Sequence, residues 1–151
     1  MTADVSASTM TTTPCADDRL AAAWQQLYVR YHRVSCEIDR TLQAAHGLTG
    51  SEFEVLELLA AADDHSLRMS ELAAQVHLSQ SALSRLVAGL EKDGLAQRSM
   101  CANDRRSVFT ALTPQGLARY EAAKPAHRAV LRATAVDEDG RTLCGATGLA
   151  E

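Results

Sequence analysis

Residues 70–94 of this 151-residue chain read SELAAQVHLSQSALSRLVAGLEKDG, a pattern that predicts two short helices separated by a tight turn. Ser70 can cap a first helix over 71–76. Ser79 can cap a second helix, which ends before Gly94 because glycine suits a left-handed C-terminal stop. Two helices joined by a turn of three or four residues form the helix-turn-helix pattern. We therefore expect a helix-turn-helix at the centre of the fold.

The second of these helices has an apolar face and a face of short polar side chains. Its apolar residues recur at helical spacing and predict the buried side: Leu83, Leu86, Val87 and Leu90. Its polar face carries Gln80, Ser81, Ser84 and Arg85. Such side chains suit phosphate oxygens and base edges, and the free N–H groups at the helix start suit a phosphate. An ordinary solvated helix surface is the alternative that this segment alone leaves open.

A β-hairpin with a basic tip is predicted directly after these helices. Two strand-length runs, 95–100 and 107–112, flank a turn that reads CANDRR. Its adjacent arginines, Arg105 and Arg106, repel each other, so that they serve a partner better than they serve the fold. The narrow minor groove of DNA is a natural acceptor for an arginine. A solvated loop with two chance arginines is the alternative interpretation.

A long amphipathic helix is predicted on the N-terminal side, beginning at Asp17 or Asp18, either of which can act as its cap. Apolar residues recur along it at every third or fourth position: Leu20, Trp24, Leu27, Tyr31, Val34, Ile38 and Leu42. This stripe predicts about seven turns of helix. A helix of about 28 residues is long for a domain of this size. We therefore expect its stripe to pack against more than its own core.

Other local signals place the remaining elements. Thr49 and Glu52 have the spacing of a capping box and begin a helix that ends at about residue 62, and residues 63–66 are expected to form a loop. A later helix opens at Pro114, where no N–H is needed. Pro125 lies inside that helix and is expected to kink it or divide it in two.

The charge is distributed unevenly along the chain. The formal net charge is −4, which taken whole argues against nucleic acid. Residues 1–18 and 137–151 each sum to −3, so the remaining segment, 19–136, is +2. Residues 1–16 are mostly Ser, Thr, Ala and Met, which predicts a disordered arm.

Several functional classes lack support in the sequence. The longest apolar runs fall short of the roughly 18–20 residues that cross a bilayer, and no signal peptide is recognised, so we expect a cytoplasmic protein without membrane contact. The cysteines and histidines show no metal-ligand spacing, which predicts no metal site. We find no nucleophile–base spacing, no glycine-rich phosphate loop and no paired carboxylates. We therefore expect that the protein is not an enzyme and uses no cofactor.

Five stretches in the right order resemble the multiple-antibiotic-resistance regulator (MarR) family. They are 79–87 (SQSALSRLV), 90–95 (LEKDGL), Arg98, 103–107 (NDRRS) and 112–116 (LTPQG). The resemblance covers roughly residues 19–135 and is most specific over 70–116.

The resemblance implies a mainly α fold with a small β-hairpin wing, in which a winged helix-turn-helix is flanked by N- and C-terminal dimerisation helices. The expected organisation is a disordered N-terminal arm (1–16), an N-terminal dimerisation helix (17–48), a winged helix-turn-helix region that binds DNA (49–112) and C-terminal dimerisation helices with a weak tail (113–151).

In function, the resemblance implies a homodimeric transcription regulator, usually a repressor, that binds a near-palindromic operator in double-stranded DNA. Ser79 to Arg85 would lie in the major groove. Arg106 would enter the minor groove while Asp104 orients its guanidinium, and Arg105 would be a phosphate or second minor-groove contact. The tail at 137–151 is shorter, more acidic and richer in glycine than the family pattern, which bears on the strength of the dimer.

Relatives of this kind often release DNA when a small phenolic or aromatic acid, or an oxidant, acts on them. Aromatic and cationic side chains of the first helix could line a cleft for such an effector: Trp24, Tyr28, Tyr31 and His32. Packing of the same side chains in the dimer seam is the alternative interpretation.

Two further readings stay open. A redox-responsive regulator of the same fold would use one of the four cysteines, Cys15, Cys36, Cys101 or Cys144. Asp17 and Asp18 near Cys15 do not favour a reactive thiolate. A winged helix that contacts proteins instead of DNA is the second reading.

Overall fold

The computed structural model describes residues 15–101 and 104–134, with five helices and three strands among them. In chain order these are α1 (Ala16–His46), α2 (Gly50–Ala61), β1 (Ser66–Arg68), α3 (Met69–Val76), α4 (Gln80–Lys92), β2 (Ala96–Cys101), β3 (Asp104–Leu112) and α5 (Pro114–Thr134). The predicted fold class is confirmed, since a helix-turn-helix (α3 and α4) precedes a β2–β3 wing in a mainly helical chain. The predicted tail at 137–151, and the predicted arm at 1–16 except for its last two residues, lie outside the described residues.

The chain forms two compact units, residues 1–33 and residues 34–151. Within the first unit, the described residues form the N-terminal part of α1. This helix begins at Ala16, and the Cys15 N–H donates to the Asp18 carboxylate at 3.2 Å. The prediction that Asp17 or Asp18 is the cap residue is therefore wrong by two to three positions. Asp18 closes the first turn from inside the helix, where its charge also favours the positive end of the helix dipole.

The second unit holds the hydrophobic core, to which α2, α3, α4, the sheet and α5 all contribute. Three of the four residues predicted for the buried face of α4 are fully buried, and Leu86 is half-buried. The largest fully buried apolar side chains of the core are Phe53, Leu42, Leu48, Leu56, Leu59, Leu72, Leu83, Leu90, Leu95, Val55 and Val87. Burial of this apolar surface is the main stabilising term of the unit.

The helix starts in this unit follow from short-range chemistry. At α2 the predicted capping box is confirmed: the Glu52 N–H donates to Thr49 Oγ1 at 3.2 Å, and the Thr49 N–H donates to Glu52 Oε2 at 2.8 Å. At α3 the prediction of Ser70 as the cap is wrong. The helix begins at Met69, two residues earlier than predicted, and the Arg68 N–H donates to the Glu71 carboxylate at 2.9 Å. The carboxylate three residues on satisfies this N–H, so the first turn closes without a serine cap.

The three strands form one antiparallel sheet in the order β1-β3-β2. Strand β1 was not predicted, because Ser66 was assigned to a loop. It pairs Ser66 with Ala111 and Arg68 with Phe109. Three residues are too few to show the alternation of a strand, so this pairing is set by tertiary contact alone.

Helix α5 runs without interruption through Pro125. Of the two outcomes predicted for this proline, a kink or a division, the division of the helix is therefore wrong. Ala123 and Val130 are buried on either side of it. Because both halves are anchored in this way, packing compensates for the hydrogen bond that proline removes.

The junction between α4, the sheet and α5 is held by Thr113. Gly94 ends the turn after α4 with φ +71°, as predicted for a glycine stop. Thr113 Oγ1 donates to the Gly94 carbonyl oxygen at 2.7 Å and accepts from the Gly116 N–H at 3.0 Å. A Cβ on Gly116 would lie 1.9 Å from the Leu95 carbonyl oxygen, so only glycine permits this close approach.

A mixed aromatic and charged cluster joins α2 to α5. Phe53 stacks on His127 with ring centroids 4.4 Å apart. An Arg128 N–H lies 2.6 Å from His127 Nδ1, and the same guanidinium pairs with Glu57. Burial, followed by the charge of Arg128, lowers the pKa of His127 from its ordinary value of 6.5. His127 is therefore a neutral acceptor for Arg128 near pH 7.

Acidification is expected to destabilise the fold through His127. Because its pKa is lower in the folded chain, the unfolded chain binds more protons once the pH falls below 6.5, so the free energy of unfolding decreases there. We expect His127→Gln, which keeps an acceptor but does not titrate, to lose less stability than the wild type between about pH 7 and about pH 5. Chemical denaturation across this range is the measurement, and parallel stability curves for the two proteins would contradict the prediction.

Candidate nucleic-acid interface

The predicted recognition residues lie together at the start of α4. Ser79 is the N-cap as predicted, and its Oγ accepts from the Ala82 N–H at 3.2 Å. Ser79, Gln80 and Ser81 are exposed on the first turn, so their polar groups are open to a ligand. The cap aligns this turn, because it fixes the backbone where the chain enters the helix.

Arg85 and Ser84 occupy the second turn in different environments. Arg85 is exposed, and its Nε donates to the Ser81 carbonyl oxygen at 3.3 Å, so its side chain extends back toward the start of the helix. Ser84 is half-buried. It is less accessible than the sequence pattern suggested, and another residue contacts its hydroxyl.

That residue is Arg98 on β2, which was predicted only as part of the family pattern. Arg98 Nη1 donates to Ser84 Oγ at 3.5 Å, and its Nε pairs with Glu91 of α4 at 2.8 Å. The Arg98 N–H also donates to Glu91 at 2.7 Å. Glu91 and Arg98 flank the Gly94 turn, and opposite charges at either side of a helix-to-strand turn are the signal that could have revealed this pair. The contacts fasten α4 to the wing.

The wing differs from its predicted form in where its second strand begins. Strand β3 starts at Asp104, three residues before the predicted start, and the pairing of β2 with β3 has an irregularity between Met100 and Cys101. The backbone of Arg105 and Arg106 therefore belongs to a strand and not to the turn. Between Met100 and Cys101 the partner on β3 changes from Val108 to Asp104, a register shift that a strand pattern alone does not predict. The side chains of residues 101–106, including the predicted contacts of Asp104, Arg105 and Arg106, lie outside the part of the chain that the structure describes.

A polar groove of about 410 Å³ lies between the helix-turn-helix and the sheet. We call it the α4–sheet groove; it is lined by Arg68, Met69, Ser70, Gln80, Ser84, Arg98, Ser107 and Val108. Sequence reasoning missed Arg68, Met69, Ser70, Ser107 and Val108 as members of a site. The Arg68 guanidinium lies over the Phe109 ring, 5.3 Å from its centroid. This contact holds a positive charge at the wall of the groove.

The predicted effector residues lie on α1 within the first unit. Trp24 is 64% exposed and Tyr31 69% exposed, and His32 is exposed as well. The rings of Tyr28 and His32 are 6.3 Å apart. The chain as described therefore presents these side chains on an open helix face, and their role in ligand binding stays a prediction.

The described part of the chain offers little for metal or membrane chemistry. Among these residues no three His, Cys, Asp or Glu side chains are grouped as for a metal ion, and no helix has the length and apolar character of a membrane span. Cys15 and Cys36 are exposed, and neither is in a disulfide bond. Cys144 and the Cys101 side chain lie outside the described residues.

Comparison with known proteins gives consistent results. A sequence profile described as MarR family matches residues 46–107. The chain is 30% identical over 105 residues to the HTH-type transcriptional repressor YetL of Bacillus subtilis, an alignment that covers 68% of this chain and 63% of YetL. It is 28% identical over 92 residues to the Escherichia coli regulator PrsX, which covers 61% and 55%. The chain thus spans less than two thirds of the length of these curated relatives.

Solved structures match over a larger share of the chain. Sco3205, a MarR family transcriptional regulator from Streptomyces coelicolor crystallised in complex with DNA, is 29% identical with a TM-score of 0.77, covering 91% of this chain and 84% of Sco3205. AbsC, a MarR family regulator from the same organism, is 28% identical with a TM-score of 0.76, covering 92% and 90%. The expectation that the chain is not an enzyme agrees with these relatives, which are named as transcription regulators.

Proposed function

The chain belongs to the MarR family, and from this we propose that it is a sequence-specific DNA-binding transcription regulator. The observation that carries the proposal is the start of α4, where Ser79, Gln80 and Ser81 are exposed on one capped turn beside Arg85. Short hydroxyl, amide and guanidinium groups are the side chains that read base edges in the major groove. The similarity to Sco3205, whose structure contains DNA, supports the same conclusion.

In this proposal the two parts of the motif have different tasks. The first turn of α4 enters the major groove, and the Glu91–Arg98 pair holds the helix at a fixed angle to the wing. The wing then brings Arg106 to the adjacent minor groove, where a narrow A·T-rich segment attracts a guanidinium. Because the chain is −4 overall, affinity comes from a few placed side chains and not from a strong general attraction.

Selection of bound duplexes from a random DNA pool tests the proposal directly. We expect a preferred sequence with two related half-sites about one helical turn apart, and a binding constant that falls steeply as salt rises because bound counterions are released. The control is a scrambled duplex of the same length and composition. Equal affinity for both duplexes would contradict sequence-specific binding, and recovery of no bound duplex from the pool would favour the protein-contact alternative.

We further propose that the regulator acts as a homodimer. The N-terminal part of α1 exposes a set of large apolar side chains, each at least 55% exposed: Leu20, Trp24, Leu27, Tyr28, Val29 and Tyr31. Most of them lie on one side of the helix, at steps of three and four residues. A contiguous apolar face of this kind marks an interaction surface. A second copy of the chain suits it, because two-fold symmetry also pairs the two halves of a palindromic operator.

A charge placed in this apolar face is expected to separate the protomers. Leu27→Glu buries a carboxylate if the face is an interface, so we expect the dimer dissociation constant to rise at least about a hundredfold. The control is Ala22→Glu, which adds the same charge to the opposite face of the same helix. Analytical ultracentrifugation measures both, and an unchanged dimer in Leu27→Glu would show that this face is not the interface.

We also propose that the protein represses transcription and that a small aromatic or phenolic acid relieves this repression. The relative YetL is named a repressor, and another relative is the homoprotocatechuate degradative operon repressor of Escherichia coli. The single tryptophan of the chain, Trp24, lies among the predicted effector residues, so its fluorescence reports on their environment. Salicylate-like acids added to the protein–DNA complex are expected to change this fluorescence and release the duplex; a flat titration across such acids would contradict an effector of this class.

A further inference from the structure

The α4–sheet groove is a polar site whose lining includes residues outside the predicted DNA contacts of α4 and the wing. Two of its lining residues are arginines, several are hydroxyl or amide residues, and none is acidic. Apolar pockets suit drug-like ligands, whereas guanidinium and hydroxyl donors suit the oxygens of a phosphate. The chemistry of the lining therefore points to an oxyanion.

Both arginines are held in place before any ligand arrives. Arg98 is held by Glu91 and contacts Ser84. These contacts do not use all five N–H donors of its guanidinium. Arg68 rests on the Phe109 ring and has its backbone tied to Glu71 through the α3 cap. Glu91 offsets the charge of Arg98, so Arg68 supplies most of the net positive charge of the groove. Prior placement lowers the entropy lost when an anion binds.

We propose that this groove receives a backbone phosphate of the bound duplex, with Arg68 as its principal contact. The inference rests on the proposed DNA binding and adds a third anchor to the recognition helix and the wing. Gln80 and Ser84 line the groove and also belong to α4. A strand whose base edges meet the first turn of α4 therefore carries its sugar-phosphate backbone past the same groove. The contact fixes the register of the helix on DNA without reading sequence.

The effect of Arg68→Gln on the salt dependence of binding tests this inference. Each phosphate contact contributes about 0.9 to the slope of log binding constant against log salt, so a dimer that loses two contacts has a slope smaller by about 2. The loss of affinity relative to wild type is then about tenfold greater at about 50 mM than at about 200 mM salt. We expect the same loss on the duplex selected by the wild type and on its scrambled control, because a phosphate carries no sequence information.

Two matched variants accompany Arg68→Gln. Arg40→Gln removes the same charge from an exposed position on α1, where its recorded ion pair is with the neighbouring Glu37, and it is expected to keep the wild-type slope. Arg68→Lys keeps the charge and is expected to restore most of the slope. Thermal unfolding of all variants separates a loss of contact from a loss of fold. If Arg68→Gln is unstable, Arg68→Lys supplies the test: a slope reduced by about 2, as expected for loss of the charge, would then overturn the inference.

The remaining outcomes distinguish failure of the phosphate contact from failure of the proposed function. A slope in Arg68→Gln equal to that in Arg40→Gln overturns the inference while the wild type still binds DNA, so the proposed function stands. If that result is accompanied by stabilisation of the wild type, but not of Arg68→Gln, by inorganic phosphate at constant ionic strength, the groove holds a free anion and a duplex phosphate is excluded. If the wild type binds neither duplex, the proposed function and this inference fail together.

Discussion

Gly116→Ala is expected to lower the stability of the fold by about 3 kcal/mol, a fall of about 10 °C in melting temperature. An alanine Cβ at this position would lie 1.9 Å from the Leu95 carbonyl oxygen and 2.8 Å from Leu112 Cδ1. The first of these neighbours is a backbone atom and cannot rotate away as a side chain can, so α5 must move away from Leu95. Thermal unfolding followed by circular dichroism measures the loss.

Gly89 provides the matched control on α4. A Cβ there would meet its nearest neighbour, Glu52 Oε1, at 3.9 Å, an ordinary contact distance. Gly89→Ala is therefore expected to stabilise the protein by about 0.5–1 kcal/mol, because alanine loses less backbone freedom in a helix. Equal melting temperatures for the two variants would show that α5 does not approach Leu95 this closely.

Arg106→Ala is expected to weaken binding to the selected duplex at least about 30-fold while leaving the circular dichroism spectrum unchanged. An arginine contact with DNA is worth about 1–3 kcal/mol, and a dimer makes it twice. Mobility-shift titration at one fixed salt concentration is the measurement.

The exposed Arg40 again supplies the control for this substitution. Arg40→Ala removes the same charge from a surface ion pair, and such pairs contribute little. We expect its affinity to stay within about threefold of the wild type. If Arg106→Ala binds as well as Arg40→Ala, the wing has no part in recognition.

Local chemistry made much of the fold predictable from the sequence. The capping box of Thr49 and Glu52 and the cap at Ser79 join residues three apart, so both can be recognised without tertiary information. The buried face of α4 was predicted for the same reason, since helical spacing fixes which residues share a side. Family resemblance placed these pieces in order.

Elements that depend on contact between distant residues were not predictable in this way. Strand β1 exists because Arg68 and Phe109, 41 positions apart, are brought into register. The α4–sheet groove likewise needs Arg68 and Arg98 on neighbouring elements, and neither residue carries a local signal for it. The start of β3 was misplaced because an irregularity in the ladder changes register without changing the residue pattern.

The hydroxyl of Thr113 has a mechanical consequence. It ties the turn that ends α4 to the first turn of α5, and the Thr113 N–H donates to Leu95 at 3.1 Å beside it. The close approach of Gly116 to the Leu95 carbonyl oxygen adds a further contact at this junction. A tilt of α5 is therefore expected to move the C-terminal end of α4 with it. In a dimer held through α5, the distance between the two α4 helices would therefore depend on the tilt of α5 at Thr113.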